Sequence, residues 1–268
     1  MSETALNPPL SPWVRVFTGA ALIVLIAGPL LLFAPQVIVP RWPWAIAPFN
    51  ARFLGAVYCA ELGALAVLFL DNRWSPGRAS FVVAFVFTFV VTIASLIHLP
   101  AFVGARRIAL WFVLYVGYAA LSGGALLLYR QLPKVSALAV SDRFRSTLQV
   151  AGAVMTLYGV ALFVAPGIAA GFWPWAIDAM HGQIYSAVFL APGLGTLLLG
   201  RSAAREECLV GGVFNAGLGF FALVGFALAQ AQTGRANLAS PATWAWLLIF
   251  AVLLAIGIAM IRASRAKS

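Results

Sequence analysis

Apolar residues fall into eight long blocks along the chain, at about residues 14–34, 51–70, 79–99, 108–129, 146–166, 182–200, 208–230 and 242–262. Between them lie short stretches where Arg, Pro, Asn, Asp and Gly collect. Each block is near the ~20 residues that a helix needs to cross ~30 Å of hydrocarbon. Backbone groups in lipid have to find their partners within the segment, and the alternation of polar and apolar positions that marks barrel strands is absent. The pattern therefore predicts an all-α fold, a polytopic membrane helix bundle with eight transmembrane helices.

A longer period is superimposed on the blocks. Trp42-Pro43-Trp44-Ala45-Ile46 recurs as Trp173-Pro174-Trp175-Ala176-Ile177, an offset of 131 residues. The same offset pairs Gly28 with Gly159, Leu31 with Leu162, Ala34-Pro35 with Ala165-Pro166, Ala56-Val57 with Ala187-Val188, and Ala60 with Ala191. Two tryptophans recurring with identical spacing predict a tandem duplication. Four spans per copy is an even number, so the second copy enters the membrane facing the same way as the first, giving two parallel four-helix repeats. The expected layout is a tail at 1–13, a first repeat at 14–129, a linker at 130–145, a second repeat at 146–262 and a tail at 263–268. The first block runs past a ~7–15 residue leader core, lacks a basic start and has a counterpart in the second copy, so it reads as a retained helix rather than a leader.

Composition agrees with lipid as the solvent. Hydrophobic residues make up 63% of the 268 and charged residues 9%, against about 45–50% and about 25% in a soluble domain. The net charge of +10 does not point to nucleic acid, because the basic residues are dispersed through loops and termini rather than gathered in one stripe. Their distribution sets orientation instead. Arg15, Arg73, Arg78, Arg130, Lys134, Arg143, Arg145, Arg201, Arg205, Arg262, Arg265 and Lys267 share the side of the N-terminus, whereas Arg41, Arg52, Arg106, Arg107 and Arg235 fall on the other. The positive-inside rule then places both termini in the cytoplasm, in a plasma membrane of bacterial type. The proline-rich segments 35–50 and 166–181 fall on the opposite face, where Trp42, Trp44, Trp173 and Trp175 are expected as interfacial anchors beside stiff turns. Cys59 and Cys208 lie at depths too different for a disulfide and read as small apolar fillers.

Glu61 is the one acidic residue deep inside a span. A carboxylate near the bilayer centre is expensive, and it marks either a functional site or a polar tie between helices. Thr88, Thr92, Ser95 and His98 follow at spacings of 4, 3 and 3 on one face of the third span. With Arg52 at the depth of His98, they define a candidate polar track from the outer surface to Glu61, or a set of interhelical hydrogen bonds. Asn50, Arg52 and Glu61 correspond in the second copy to His181, Gln183 and Pro192, so a site here is asymmetric, with Asp178 and His181 as outer contributors. His181 by itself reads as a helix-start residue, since two histidines cannot make a metal site. Asn215, among Gly211, Gly212, Gly217 and Gly219, reads as a packing position, as does Ser122-Gly123-Gly124.

No hydrolase, metalloprotease, redox or phosphate-cradle motif occurs, and His98 and His181 both sit at outer ends, where they cannot sandwich a haem. No catalytic residue, metal site or cofactor is expected. Three functions fit: first, a non-catalytic accessory, assembly or scaffold subunit working with other membrane proteins; second, a small-molecule or proton-coupled transporter with Glu61 titrating; third, an intramembrane enzyme acting on lipid.

Overall fold

The computed structural model describes residues 7–132, 141–201 and 204–265. Eight helices in it are long and apolar enough to cross a membrane. They are α1 (Pro12–Phe33), α2 (Pro48–Asp71), α3 (Trp74–Ile97), α4 (Ala105–Leu128), α5 (Asp142–Val164), α6 (Ala179–Arg201), α7 (Arg205–Thr233) and α8 (Pro241–Arg265). Every start lies one to five residues before the apolar block that predicted it. Helix formation does not need apolar side chains, so polar first turns such as Asp142-Arg143 and Arg205-Glu206-Glu207 are helical although the hydropathy pattern omits them. Residues 133–140, which make up half of the expected linker, and the ends of both tails lie outside the described residues.

Local chemistry sets the boundaries. Pro12, Pro48 and Pro241 open their helices in first-turn positions, where an N–H would have no partner. The Ser141 hydroxyl accepts from Phe144 N at the start of α5. Asn72 (φ 51°) and Gly234 (φ 60°) close α2 and α7 in the left-handed conformation. Within α1 the helix breaks at Ile26, because Pro29 has no N–H to give the Leu25 carbonyl.

Adjacency among the helices follows one rule. α1 packs on α2 and α5 on α6; α3 packs on α4 and α7 on α8; α2 packs on α7 and α6 on α3. Adding four to each helix number carries every one of these pairs into another. α2 and α6 form the centre, burying 61% and 72% of their most apolar stretch against 28% for α1, α3, α4, α5 and α8. Close approach of α1 to α2 requires glycine at position 28: a Cβ there would stand 2.7 Å from Tyr58 Cβ. Its counterpart Gly159 sits equally tight, 2.7 Å from the Leu190 nitrogen.

The two Trp-Pro-Trp segments meet at one end of the bundle. There the Trp44 indole donates to His181 Nε2 (3.2 Å) and the Trp175 indole donates to Asn50 Oδ1 (2.8 Å). Each tryptophan thus bonds the residue at the start of the other half's central helix, and the two bonds are related by the same 131-residue offset. Interfacial anchors beside stiff turns were expected here. Instead Trp42, Trp44, Trp173 and Trp175 are all buried, packed edge to face on one another and on Trp111, Phe53 and Trp246. Indole rings bury a large apolar area and need only one hydrogen-bond partner. The protein supplies the burial for all four and a partner for three, the Trp173 indole donating to the Tyr158 hydroxyl at 2.8 Å while Trp42 Nε1 is left without one, and the rings pack into the seam between the halves.

At the opposite end, the described part of the N-terminal tail lies over the α2–α3 turn. Pro9 pairs with Arg73, Asn7 Oδ1 accepts from Ser75 N, and the Tyr129 hydroxyl accepts from Ser11 N.

Candidate functional site: the cavity at Glu61

Glu61 lies thirteen residues along α2 from Pro48, about 20 Å below the tryptophan end at 1.5 Å per residue. Its side chain is half-buried and has no hydrogen-bond or ion-pair partner among the described residues. It opens instead onto two cavities. The larger, about 330 Å³, runs between α1, α2, α3 and α4, from Glu61 up to Arg41, Trp42 and Arg107. That volume is at the lower end of the ~300–1,000 Å³ typical of small-molecule sites. The smaller, about 30 Å³, runs the other way, past Ser80, Thr196 and Asn215. Glu61, Val83, Pro192 and Phe214 belong to both walls.

The larger chamber is almost wholly apolar and strongly aromatic. Tyr58, Phe87, Trp111, Tyr115, Tyr118 and Phe214 line it. Tyr58 and Tyr115 share a 2.6 Å hydrogen bond between hydroxyls, and Trp111 lies 4.2 Å from Tyr115 centroid to centroid. At the mouth, Arg107 donates to the Trp42 carbonyl and Arg41 to the Val37 carbonyl. Both guanidinium groups belong to exposed residues.

The expected polar track to Glu61 is not continuous. Thr88 shares the chamber wall with Glu61, but its hydroxyl donates to Ala84 O, and that of Thr92 donates to Thr88 O. Hydroxyls on membrane helices commonly return to the carbonyl four residues back, which removes them from a pathway. Ser95 is buried and accepts from the Trp111 indole at 2.9 Å. His98 bonds Gln183 Oε1 at 2.6 Å, joining the two halves, while Gln183 donates onward to Phe163 O. Arg52 is buried with Nε and Nη1 unpartnered, and it lines neither cavity. The route to Glu61 is therefore aromatic rather than hydroxyl-lined.

Pro192, the counterpart of Glu61, faces it across both cavities. Lacking an N–H, it leaves the Val188 carbonyl without its helical donor and loosens α6 at that depth. Asn215 donates to Gly211 O and leaves Oδ1 buried without a partner, at the wall of the smaller cavity.

Beyond that cavity stands a feature that the pattern of residues did not single out. Arg78 on α3 holds Glu207 on α7 through two bonds, Nε to Oε1 at 2.5 Å and Nη2 to Oε2 at 2.7 Å. The Glu207 side chain is 2% exposed. The pair joins one half to the other at the end opposite the tryptophans. Its members are 129 residues apart and have no spacing motif, so only the fold brings them together. The aromatic wall was more legible, because Trp111, Tyr115 and Tyr118 follow at helical spacings of 4 and 3.

Outside the spans, burial alone would push the Asp178 carboxyl up. Hydrogen bonds from the backbone N–H of His181 and from its ring Nδ1 at 2.8 Å outweigh that effect and hold the group below the ordinary carboxylate value. Asp178 thereby fixes the imidazole whose Nε2 accepts from Trp44. Among the described residues no three His, Cys, Asp or Glu side chains gather closely enough to hold a metal ion.

Compared with protein families, with curated proteins and with solved structures, the chain gives no match in any of the three, so what it does has to be argued from this geometry.

Proposed function

We propose that this integral, multi-pass membrane protein is a proton-coupled transporter in which Glu61 is the exchanging group and the aromatic chamber holds the solute. One observation carries the reading: the Glu61 carboxylate is unpartnered and borders two cavities that lead toward opposite ends of the bundle. A carboxylate serving only as a structural tie would be hydrogen-bonded across a helix interface. In the accessory-subunit reading the chamber and the open acid have no task. The other ionisable or charged groups on the chamber wall are Tyr58, Tyr115, Tyr118, Arg41 and Arg107; none lines the smaller cavity.

Tandem duplication supplies the moving parts in this proposal. Halves related by an axis along the membrane normal exchange access by rocking about a central site. Here each end carries its own closure between the halves, aromatic at one and ionic at the other. Loss of the helical bond at Pro192 gives α6 a weak point at the level of the exchanging group, where it can flex.

The test needs no knowledge of the solute. In protein whose Cys59 and Cys208 are replaced by Ala, a cysteine is placed at Thr88 or at Thr196 and labelled in lipid vesicles with a membrane-impermeant maleimide. Glu61→Gln, which fixes the neutral form, is expected to change the two labelling rates severalfold in opposite directions. Rates that ignore Glu61→Gln, or a Thr196→Cys site that is closed in both backgrounds, would reject exchange of access.

A further inference from the structure

We infer that the chamber at Glu61 selects a lipophilic organic monocation, a delocalised or quaternary charge carried on aromatic or alkyl groups. The inference rests on the transport reading for its direction of travel, but the binding site it describes stands apart from that reading. An unpaired carboxylate in apolar surroundings is costly unless a proton or a cation balances it. Glu61 has neither a cation nor a donor beside it among the described residues. A solute that fills the chamber must therefore leave Glu61 protonated or bring a positive charge to it. One proton leaves for each cation that enters, and charge is conserved.

The walls favour the second case. The rings of Tyr58, Phe87, Trp111, Tyr115, Tyr118 and Phe214 line the chamber onto which the acid opens. Ring faces attract cations within about 6 Å of their centroids, and more strongly where water is excluded. A metal ion or a small hydrated ammonium finds too few polar atoms here to replace its water, which leaves cations whose charge is wrapped in hydrocarbon. The chamber volume of about 330 Å³ accepts an organic ion of a few rings. Arg41 and Arg107 do not reverse this preference. They belong to exposed residues at the mouth, where water screens their charge, whereas Glu61 stands at the other end of the chamber. An anionic amphiphile anchored at these arginines would place its apolar tail against Glu61 and needs the acid neutral; it is the competing outcome.

A charge-inverted pair of ligands separates the two. Tetraphenylphosphonium and tetraphenylborate have nearly the same size and shape and opposite charge. Quenching of tryptophan fluorescence from Trp42 and Trp111 on the chamber wall reads binding to the full-length protein in detergent. The phosphonium is expected to bind, with proton release into weak buffer and with affinity falling up to tenfold per unit of acidification while Glu61 is being protonated. Glu61→Gln is expected to weaken it at least tenfold, and Glu61→Asp to retain most of it, which keeps the result readable if the Gln variant folds poorly. Equal or tighter binding of the borate, abolished by Arg41→Gln with Arg107→Gln, would overturn the inference in favour of an anionic amphiphile. Absence of phosphonium binding would also overturn it. If the phosphonium binds through Glu61 but the cysteine labelling shows fixed access, the site survives and the transport reading fails. If access switches without phosphonium binding, the reverse holds.

Discussion

Replacing Arg78 with Met removes the guanidinium that holds Glu207 and leaves a carboxylate with 2% of its side chain exposed. Breaking a buried pair from one side costs about 3–5 kcal/mol, because the abandoned charge stays desolvated. Arg78 is itself 19% exposed, and Glu207 keeps a 3.3 Å contact with the Ala204 nitrogen, so the lower end, about 3 kcal/mol, is expected. Glu207→Gln alone should cost less, because the guanidinium is 19% exposed and the Gln carbonyl can still accept from it. Arg78→Met combined with Glu207→Gln should cost less than the two singles together by about 2 kcal/mol, since residues in direct contact couple by ~0.5–3 kcal/mol. Equilibrium unfolding by SDS in mixed micelles, run as a double-mutant cycle, measures this. The pair also stands beyond the smaller cavity, so Arg78→Met should speed maleimide labelling of Thr196→Cys from that side. Additive single effects, or a loss below about 1 kcal/mol as for exposed surface pairs, would refute the placement of this contact in the seam.

Two further outcomes follow from the same geometry. Asp178 is held below its ordinary value, so its contribution is complete above the unfolded carboxylate range near pH ~3.9 and is lost as pH falls through the lower folded value; an acid titration of stability should be flatter in Asp178→Asn than in the parent. A Cβ at position 257 would lie 2.2 Å from the Ala216 nitrogen, whereas one at position 167 meets nothing within 4 Å. Gly257→Ala should therefore separate α7 from α8 and lower thermal stability in detergent, while Gly167→Ala should leave it unchanged.

The spans were legible because the lipid requirement imposes a length and a polarity that few other constraints can mimic. Boundaries were less so: caps such as Ser141, Asn72 and Gly234 are set by hydrogen bonds and backbone angle, not by hydropathy. Trp42, Trp44, Trp173 and Trp175 show where reasoning from single segments fails. An indole beside a proline suits the interface equally well on an isolated helix, and only the arrival of Asn50 and His181 from the other half draws it inward. Glu61 was visible as the one deep acid, although its residue type alone reads equally as a site or as a tie between helices. Its aromatic surroundings were partly readable from the spacing of Trp111, Tyr115 and Tyr118, but their convergence on Glu61 depends on how α2 and α4 cross. Arg78 and Glu207 were unreadable for a simpler reason, since a charge in a first turn at a helix end looks the same whether it faces solvent or a partner 129 residues away.

Everything proposed about function depends on Glu61 being open to the chamber and free to take up a proton. Dicyclohexylcarbodiimide, which dissolves in the bilayer and adds to protonated carboxyl groups, reads that directly when the modified residue is located by peptide mass spectrometry. The adduct is expected on Glu61 first, ahead of the other carboxylates of the chain. Modification of exposed Asp178 with Glu61 left untouched would mean that the acid is sealed or permanently paired, and the account would not stand.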